Sequence, residues 1–260
     1  MRILVTGAGG FVGGHVLAEL IRHGHRVVAM GLRFLSRPLD VESVTRMDIC
    51  DRIQLEKAVA RIKPDACIHL GAVSFVPVGV SDPDLMLKVN VGGTMNILEA
   101  IRLRAPRCRT LIISTAQVYG RVTSSRPIRE SRTLNPVNLY GATKAAADMA
   151  ALAYARNYGI PAMTARPNNH TGPGQTGQFV VPSFIRQIRS IAPGATHPIV
   201  TVGNLESRRI FMDVRDIARA YRLLIEEGRP GEAYNISAGR NRTLASILRL
   251  LCRMSGCHPE

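Results

Sequence analysis

The stretch Ile3-Leu4-Val5-Thr6-Gly7-Ala8-Gly9-Gly10-Phe11-Val12-Gly13-Gly14 leaves this chain few ways to fold. A short apolar run, Ile3 to Val5, reads as a buried strand. Glycines at 7, 10 and 13 follow at three-residue spacing, and an amphipathic helix pattern (Val16, Leu17, Leu20, Ile21) begins directly after them. One glycine allows the tight turn, one lets a pyrophosphate approach the backbone, and one lets the helix pack on the sheet. The N–H groups and positive dipole end of that helix favour a phosphate. A glycine-rich surface turn is the bland alternative, but its place between a strand and a helix is the context a dinucleotide site requires.

The rest of the first half alternates strand and helix patterns, as in a parallel sheet. Strands are expected at Arg26–Met30, Val44–Met47, Ala66–Leu70, Thr110–Ser114 and Pro161–Ala165. Helices are expected from Asp51, as N-cap, to Ile62, from Pro83 to Arg104, and from Ala142 to Tyr158. The strands are short and apolar, which suits a sheet covered on both faces. The fold class is therefore α/β, a Rossmann-type doubly wound parallel sheet. After Arg166 the texture changes to the Gly/Pro-rich loop Pro167-Asn168-Asn169-His170-Thr171-Gly172-Pro173-Gly174-Gln175. A smaller α/β lobe follows: a helix Val181–Ile191, strands Ile199–Val202 and Arg208–Phe211, a helix Val214–Glu226, a strand Tyr234–Ile236 and a helix Leu244–Met254. The expected division is 1–166 as a dinucleotide-binding domain, with 205–228 packing back on it, and 167–260 as a substrate lobe. The chain stops directly after a helix, so a further C-terminal segment is expected.

The net charge of +15 bears on partners, not on fold. Arginine supplies almost all of it, with lysine only at 57, 63, 88 and 144, and the charges stand singly along helices. With no basic run, no aromatic stacking motif and no Trp, nucleic acid is not an expected partner. Five cysteines (50, 67, 108, 252, 257) are odd in number and lack CxxC spacing, which argues against a disulfide framework or a zinc site; no metal is expected. No apolar run is long enough to span a bilayer, and Met1-Arg2 leads straight into a strand, so a cytoplasmic enzyme is expected.

The chemistry centres on Tyr140-Gly-Ala-Thr-Lys144. Four residues apart on a helix, phenol and ammonium share a face. The cation should lower the phenol pKa from about 10 toward working pH, giving a proton donor for a carbonyl oxygen that receives a hydride. Ser114 and Thr115 end strand five, where a hydroxyl can hold that oxygen. By itself a Tyr-x-x-x-Lys is a common surface pair; the glycine loop and the strand-end hydroxyl set this one apart.

Thr6-Gly7-x-x-Gly10-x-x-Gly13, Ser114-Thr115-x-x-x-Tyr119-Gly120 and Tyr140-x-x-x-Lys144 together resemble the extended short-chain dehydrogenase/reductase family, in its nucleotide-sugar branch, over the whole chain. Within that branch, Arg166-Pro-Asn-Asn169-His170-Thr-Gly-Pro-Gly-Gln175 resembles the loop of GDP-4-keto-6-deoxymannose reductases. Val202-Gly-Asn-Leu-Glu-Ser-Arg-Arg209, Asp213-Val-Arg-Asp216 and Tyr234-Asn235-Ile-Ser-Ala-Gly239 are similar to the same group. The resemblance implies that Thr115, Tyr140 and Lys144 are catalytic, with Lys144 also on the nicotinamide ribose. It implies that Gly7, Gly10, Phe11, Val12 and Gly13 bind the cofactor, that Asp48 and Ile49 flank the adenine, and that Leu70, Gly71 and Ala72 line the cofactor. Asn169 and Arg209 would hold the sugar nucleotide's diphosphate, with Ser74, Val180 and Arg186 completing the substrate site. Related dehydratases carry an acidic pair after the catalytic hydroxyl; here those places hold Ala116 and Gln117, which leaves no acid/base pair to eliminate water. Two further departures are Arg209-Ile210-Phe211, where the family has Arg-Asp-Phe, and Asn168, where a Phe is usual.

Strand two bears on the cofactor. An acidic residue after it would bind the ribose 2′-OH of NAD, and an arginine suits the 2′-phosphate of NADP. Gly31, Leu32 and Arg33 follow Met30, with no carboxylate until Asp40, which favours NADP with Arg33 on the phosphate. NAD, with Arg33 an ordinary loop charge, is the alternative. The expected reaction is NADPH-dependent reduction of the C4 ketone of a GDP-4-keto-6-deoxyhexose to a GDP-6-deoxyhexose. The rivals are a nucleotide-sugar 4-epimerase with tightly bound NAD and a non-catalytic cofactor sensor. Apolar residues on more than one face of the 83–104 and 142–158 helices (Leu85, Leu87, Val89, Ile97; Met149, Leu152, Ala153) imply a homodimer through these helices.

Overall fold

A computed structural model describes residues 1–34, 40–122, 126–191, 199–238 and 240–256. Gly239 of the Tyr234-Asn235 motif and Cys257 lie outside them. The apolar run at the start forms β1 (Arg2–Thr6), and the glycine turn leads into α1 (Phe11–Arg22). β2 (Arg26–Gly31), β3 (Ser43–Arg46), α2 (Arg52–Ile62) and β4 (Ala66–His69) follow. Asp51 caps α2 by accepting the Gln54 N–H at 3.0 Å.

Two short helices, α3 (Val78–Ser81) and α4 (Pro83–Leu87), precede a π-helical stretch, Lys88–Gly93, that runs into α5 (Thr94–Arg104). The single helix expected from Pro83 to Arg104 is thus interrupted. Within the interruption Asn90 is fully buried and spends its amide on the backbone of Val73, 17 residues earlier, accepting its N–H at 2.8 Å and donating to its carbonyl at 3.0 Å. β5 (Arg109–Ile113), α6 (Leu139–Tyr158), β6 (Ala162–Pro167), α8 (Val214–Glu227) and β10 (Ala233–Ile236) complete the frame.

The seven-stranded sheet has the order β10-β6-β5-β4-β1-β2-β3, and every neighbouring pair is parallel. Leu4, Val28, Met30, Cys67 and Ile112 on one face pack against Leu55, Val59, Ile97, Ile101 and Ala151 from α2, α5 and α6. β3 and β10 are the edge strands; β3 is half-buried to exposed, and β10 is half-buried except at Ile236, so both depart from the apolar pattern of the inner strands. The chain forms two compact units, Met1–Asn168 with Arg215–Ile236, and Asn169–Val214 with Ser237–Glu260.

In the second unit β7 (Asn169–Thr171) pairs in parallel with β9 (Phe211–Asp213), and β8 (Arg208–Arg209) pairs antiparallel with β11 (Arg242–Thr243). The strand expected over Arg208–Phe211 is thus split between two ribbons. Ile199–Val202, also expected as a strand, is not one. The Gln187 side chain on α7 (Val180–Ser190) takes its backbone instead, accepting from Thr201 N at 2.8 Å and donating to Thr201 O at 3.1 Å. Val200 then joins Phe184, Ile188 and Cys252, the last from α9 (Leu244–Ser255), in this unit's core. Among the described residues no helix is long and apolar enough to cross a membrane.

Candidate active site

The glycine turn is shaped by close approach. Gly7 has φ of 66°, and a Cβ there would lie 2.7 Å from the Gly71 nitrogen. A Cβ on Gly9 would fall 1.8 Å from the Arg33 carbonyl oxygen. Gly9 therefore brings the backbone after β2 against the turn and places Arg33, whose side chain is exposed, beside it. The Gly7/10/13 spacing overlooked Gly9; the doubled glycine at 9 and 10 was the available signal. Gly10 is the N-cap of α1 and no side chain caps that end, which leaves the helix terminus to an anionic ligand. Phe11 and Val12 form its first turn, and Gly13 is buried behind them.

Leu70, Gly71 and Ala72 follow β4 and are half-buried, whereas Ser74 is exposed. Asp48 is exposed, and Ile49 is buried with its Cδ1 against Gly71 and Gly93. All these residues belong to the first unit, as do Thr115, Tyr140 and Lys144.

Thr115 leaves β5 in extended conformation, accepts the Gln117 N–H at 3.3 Å and is hydrogen-bonded to the Tyr140 phenol. The Ser114 hydroxyl, the other candidate, is buried with no partner among the described residues. Asn138 caps α6 on Gly141 N at 2.7 Å, so the helix starts three residues earlier than expected and takes Tyr140 into its first turn. Lys144, one turn on, is buried.

The expected depression of the Tyr140 pKa is not found. Burial pushes the phenol up to about 12, opposed only by the Thr115 hydrogen bond. Burial likewise brings the Lys144 ammonium down to about 8, against the pull of Asp148. Desolvation sets the direction for both groups, Lys144 being buried and Tyr140 half-buried. Near pH 7 the site thus holds a neutral phenol, a proton donor, beside a lysine close to its own titration point.

Behind this pair stands a group whose Tyr119, Arg166 and Asn235 lie in the quoted motif runs and whose Asp148 does not. Arg166 donates to Asp148 through Nε and Nη2, both at 2.8 Å, and to the Tyr119 hydroxyl at 2.8 Å. Tyr119 donates on to Asn235 Oδ1 at 2.8 Å. Asp148, four residues past Lys144 on a buried helix face, was the signal.

In the second unit, Asn169 Nδ2 donates to the Ile210 carbonyl at 3.5 Å, next to Arg209. Arg209 is exposed, with one guanidinium nitrogen on the Arg208 carbonyl at 2.7 Å. Val180 opens α7, and Arg186 lines a cavity of about 860 Å³ together with Thr171, Gln175, Ile185 and Arg189.

A doubly wound parallel sheet, with a glycine turn after its first strand and a Tyr–Lys pair on the helix after its fifth, defines a Rossmann-type α/β protein. The chain belongs to the NAD dependent epimerase/dehydratase family, whose model matches residues 3–237. It is 35% identical over 251 residues to GDP-6-deoxy-D-mannose reductase of Pseudomonas aeruginosa, covering 96% of this chain and 79% of that protein. Among solved structures it is similar to the Thermus thermophilus UDP-glucose 4-epimerase complex with NAD, with a TM-score of 0.90 and 28% identity over 100% of this chain and 85% of that one. It is also similar to RMD from Pseudomonas aeruginosa complexed with NADPH, with a TM-score of 0.86 and 33% identity over 100% and 85%.

Proposed function

We propose that this protein reduces the C4 ketone of a GDP-4-keto-6-deoxyhexose with NADPH, giving a GDP-6-deoxyhexose. The observation that carries the reading is the neutral Tyr140 phenol, hydrogen-bonded to Thr115, in a site where Ala116 and Gln117 supply no carboxylate for elimination. The 35% identity to a GDP-6-deoxy-D-mannose reductase supports the GDP-sugar. The closed glycine turn and uncapped α1 suit a dinucleotide diphosphate, with Arg33 beside them for a 2′-phosphate.

The bound cofactor would supply the hydride. Tyr140 gives its proton to the ketone oxygen as charge develops there, and Thr115 donates a hydrogen bond to that oxygen. Lys144 in its ammonium form lowers the cost of the phenolate left behind. Asn169, Val180, Arg186 and Arg209 bind the sugar nucleotide, the two arginines facing its negative charge, and Ser74 is a further substrate contact. We place the cofactor in the Met1–Asn168 and Arg215–Ile236 unit and the sugar nucleotide in the Asn169–Val214 and Ser237–Glu260 unit, so that of the expected returning segment 205–228 only the part from Arg215 belongs with the cofactor unit. We place the protein in the cytoplasm.

Incubation with GDP-4-keto-6-deoxymannose should consume one NADPH per sugar, read by absorbance. The likeness to a UDP-glucose 4-epimerase favours a second reading, 4-epimerisation with retained NAD. Sugar conversion without net NADPH loss would replace the first reading by the second.

Arg33→Ala is expected to weaken NADPH binding about tenfold or more and leave NADH binding within about twofold, since only NADPH offers a 2′-phosphate to the guanidinium. Equal losses in titrations with the two cofactors would remove Arg33 as selector.

A homodimer is proposed through the α4–α5 segment and α6. Of the residues expected on the second face, Leu85, Leu87 and Met149 are exposed at 42%, 45% and 61%, Val89, Leu152 and Ala153 are half-buried, and Ile97 is buried in the sheet core; Leu103 and Tyr158 add exposed apolar surface at 43% and 54%. Light scattering at micromolar concentration should report twice the 28.3 kDa chain; a monomer mass refutes it.

A further inference from the structure

Between the glycine turn and the Tyr140 helix lies a chain of buried hydrogen bonds whose direction can be worked out donor by donor. The Thr94 hydroxyl donates to the Asn90 carbonyl at 2.7 Å, so toward His69 Nε2, 3.2 Å away, it can only accept. His69 therefore carries its proton on Nε2. Its Nδ1 must then accept, and the partner at 2.6 Å is the Thr6 hydroxyl, which donates. Thr6 in turn accepts the Gly71 N–H at 3.4 Å. Each ring nitrogen makes one bond, and each hydroxyl donates once and accepts once, all in a consistent sense.

The two ends of this chain are the two halves of the proposed site. Thr6 is the last residue before Gly7, and Gly71 is the backbone that closes over Gly7. At the other end Asn90 donates to Thr143 Oγ1 at 3.1 Å, and Thr143 donates to the Tyr140 carbonyl at 2.9 Å. His69 is the side chain in the path that bonds Thr6, the end of β1 before the glycine turn, on one edge and Thr94, the start of α5 after the π-helical stretch, on the other.

We propose that His69 is a positioning residue, a neutral Nε2–H imidazole that holds the cofactor turn and the Tyr140 helix in fixed register. This rests on the function proposed above for those two parts. Burial, reinforced by the Lys144 charge, keeps the ring neutral down to about pH 3, so the arrangement persists across the working range. A histidine that merely fills the core would need its hydrogen bonds satisfied, but it would not link cofactor affinity and turnover to different edges of one ring.

The test uses the full chain. Nitrogen NMR of the cofactor-free protein should show His69 neutral and protonated on Nε2 from about pH 8 to about pH 5. A ring protonated on Nδ1, or an imidazolium, in that range overturns the proposal. Two variants then separate the edges. His69→Asn puts an amide oxygen near the Nδ1 position, keeping the acceptor for Thr6 and losing the donor to Thr94. His69→Gln puts an amide nitrogen near Nε2 and does the reverse.

The Asn variant should bind NADPH within about twofold of wild type and lose about tenfold in kcat. The Gln variant should lose about tenfold in NADPH affinity and keep kcat at saturating cofactor within about threefold. Equal losses in both quantities, or no change in either, overturn the proposal. Should neither variant fold, the ring state in the wild-type protein decides. NADPH binding and the NMR are read without sugar, so an error in the assigned substrate leaves both intact.

Discussion

Tyr140→Phe is expected to lower turnover by at least about a hundredfold while NADPH affinity stays within about twofold. The phenolic hydroxyl is the only part removed, and it is the proposed donor. The ring still packs in the first turn of α6, where Asn138 caps Gly141, so the helix start is unaffected. Thr115 keeps its Gln117 N–H, losing only its bond to the phenol. Since burial holds the phenol neutral, with a pKa of about 12, no ionisation step precedes the proton transfer in the reductive direction. The loss should therefore be nearly constant between about pH 6 and about pH 7.5. Steady-state rates with fluorescence titration of NADPH check this. A variant with near-wild-type turnover would remove Tyr140 from its role and leave the fold untouched.

The frame around this residue was legible because it is written in local, repeated terms. Ile3–Val5, the glycine turn and Val16, Leu17 and Leu20 give strand, turn and helix without reference to the rest of the chain, and Asp51 marks the start of α2 by its own side chain. What was hidden depends on residues distant in sequence. Nothing near Asn90 announces that its amide will clamp Val73 and open a π-turn, and nothing near Val200 announces that Gln187 will bond Thr201. The charge states were hidden for the same reason. The spacing of Tyr140 and Lys144 puts a cation near a phenol, but how far each is withdrawn from water depends on the packing around α6, which spacing does not show. A helical-wheel argument gives the neighbour and omits the desolvation, which here decides the sign. The Tyr119, Asp148 and Arg166 group joins three elements that share no motif.

Asp148→Asn should destabilise the protein by about 3–5 kcal/mol, because it leaves a buried guanidinium without its counter-charge. Asp148 is fully buried and Arg166 is 4% exposed, and two 2.8 Å bonds join them. Thr164 donates to the same carboxylate at 3.3 Å, and the other Arg166 donors go to Tyr119 and to the Glu130 carbonyl at 2.9 Å. The surface pair of Arg104 with Glu56 should cost less than about 1 kcal/mol when truncated, which makes Arg104→Ala a suitable control. Denaturant midpoints measure both. The same substitution reaches the reaction through Lys144, one turn earlier. Asp148 is the group that raises the Lys144 pKa against burial, so its removal lets that pKa fall below about 8. The ammonium form exists below the pKa and is lost as pH rises through it. The alkaline limb of kcat/KM, expected near pH 8 in the wild type, should therefore move to lower pH in the variant, measured at a temperature where it remains folded. Wild-type stability would refute the ion pair as a buried anchor, and an unmoved limb would detach Asp148 from the charge on Lys144.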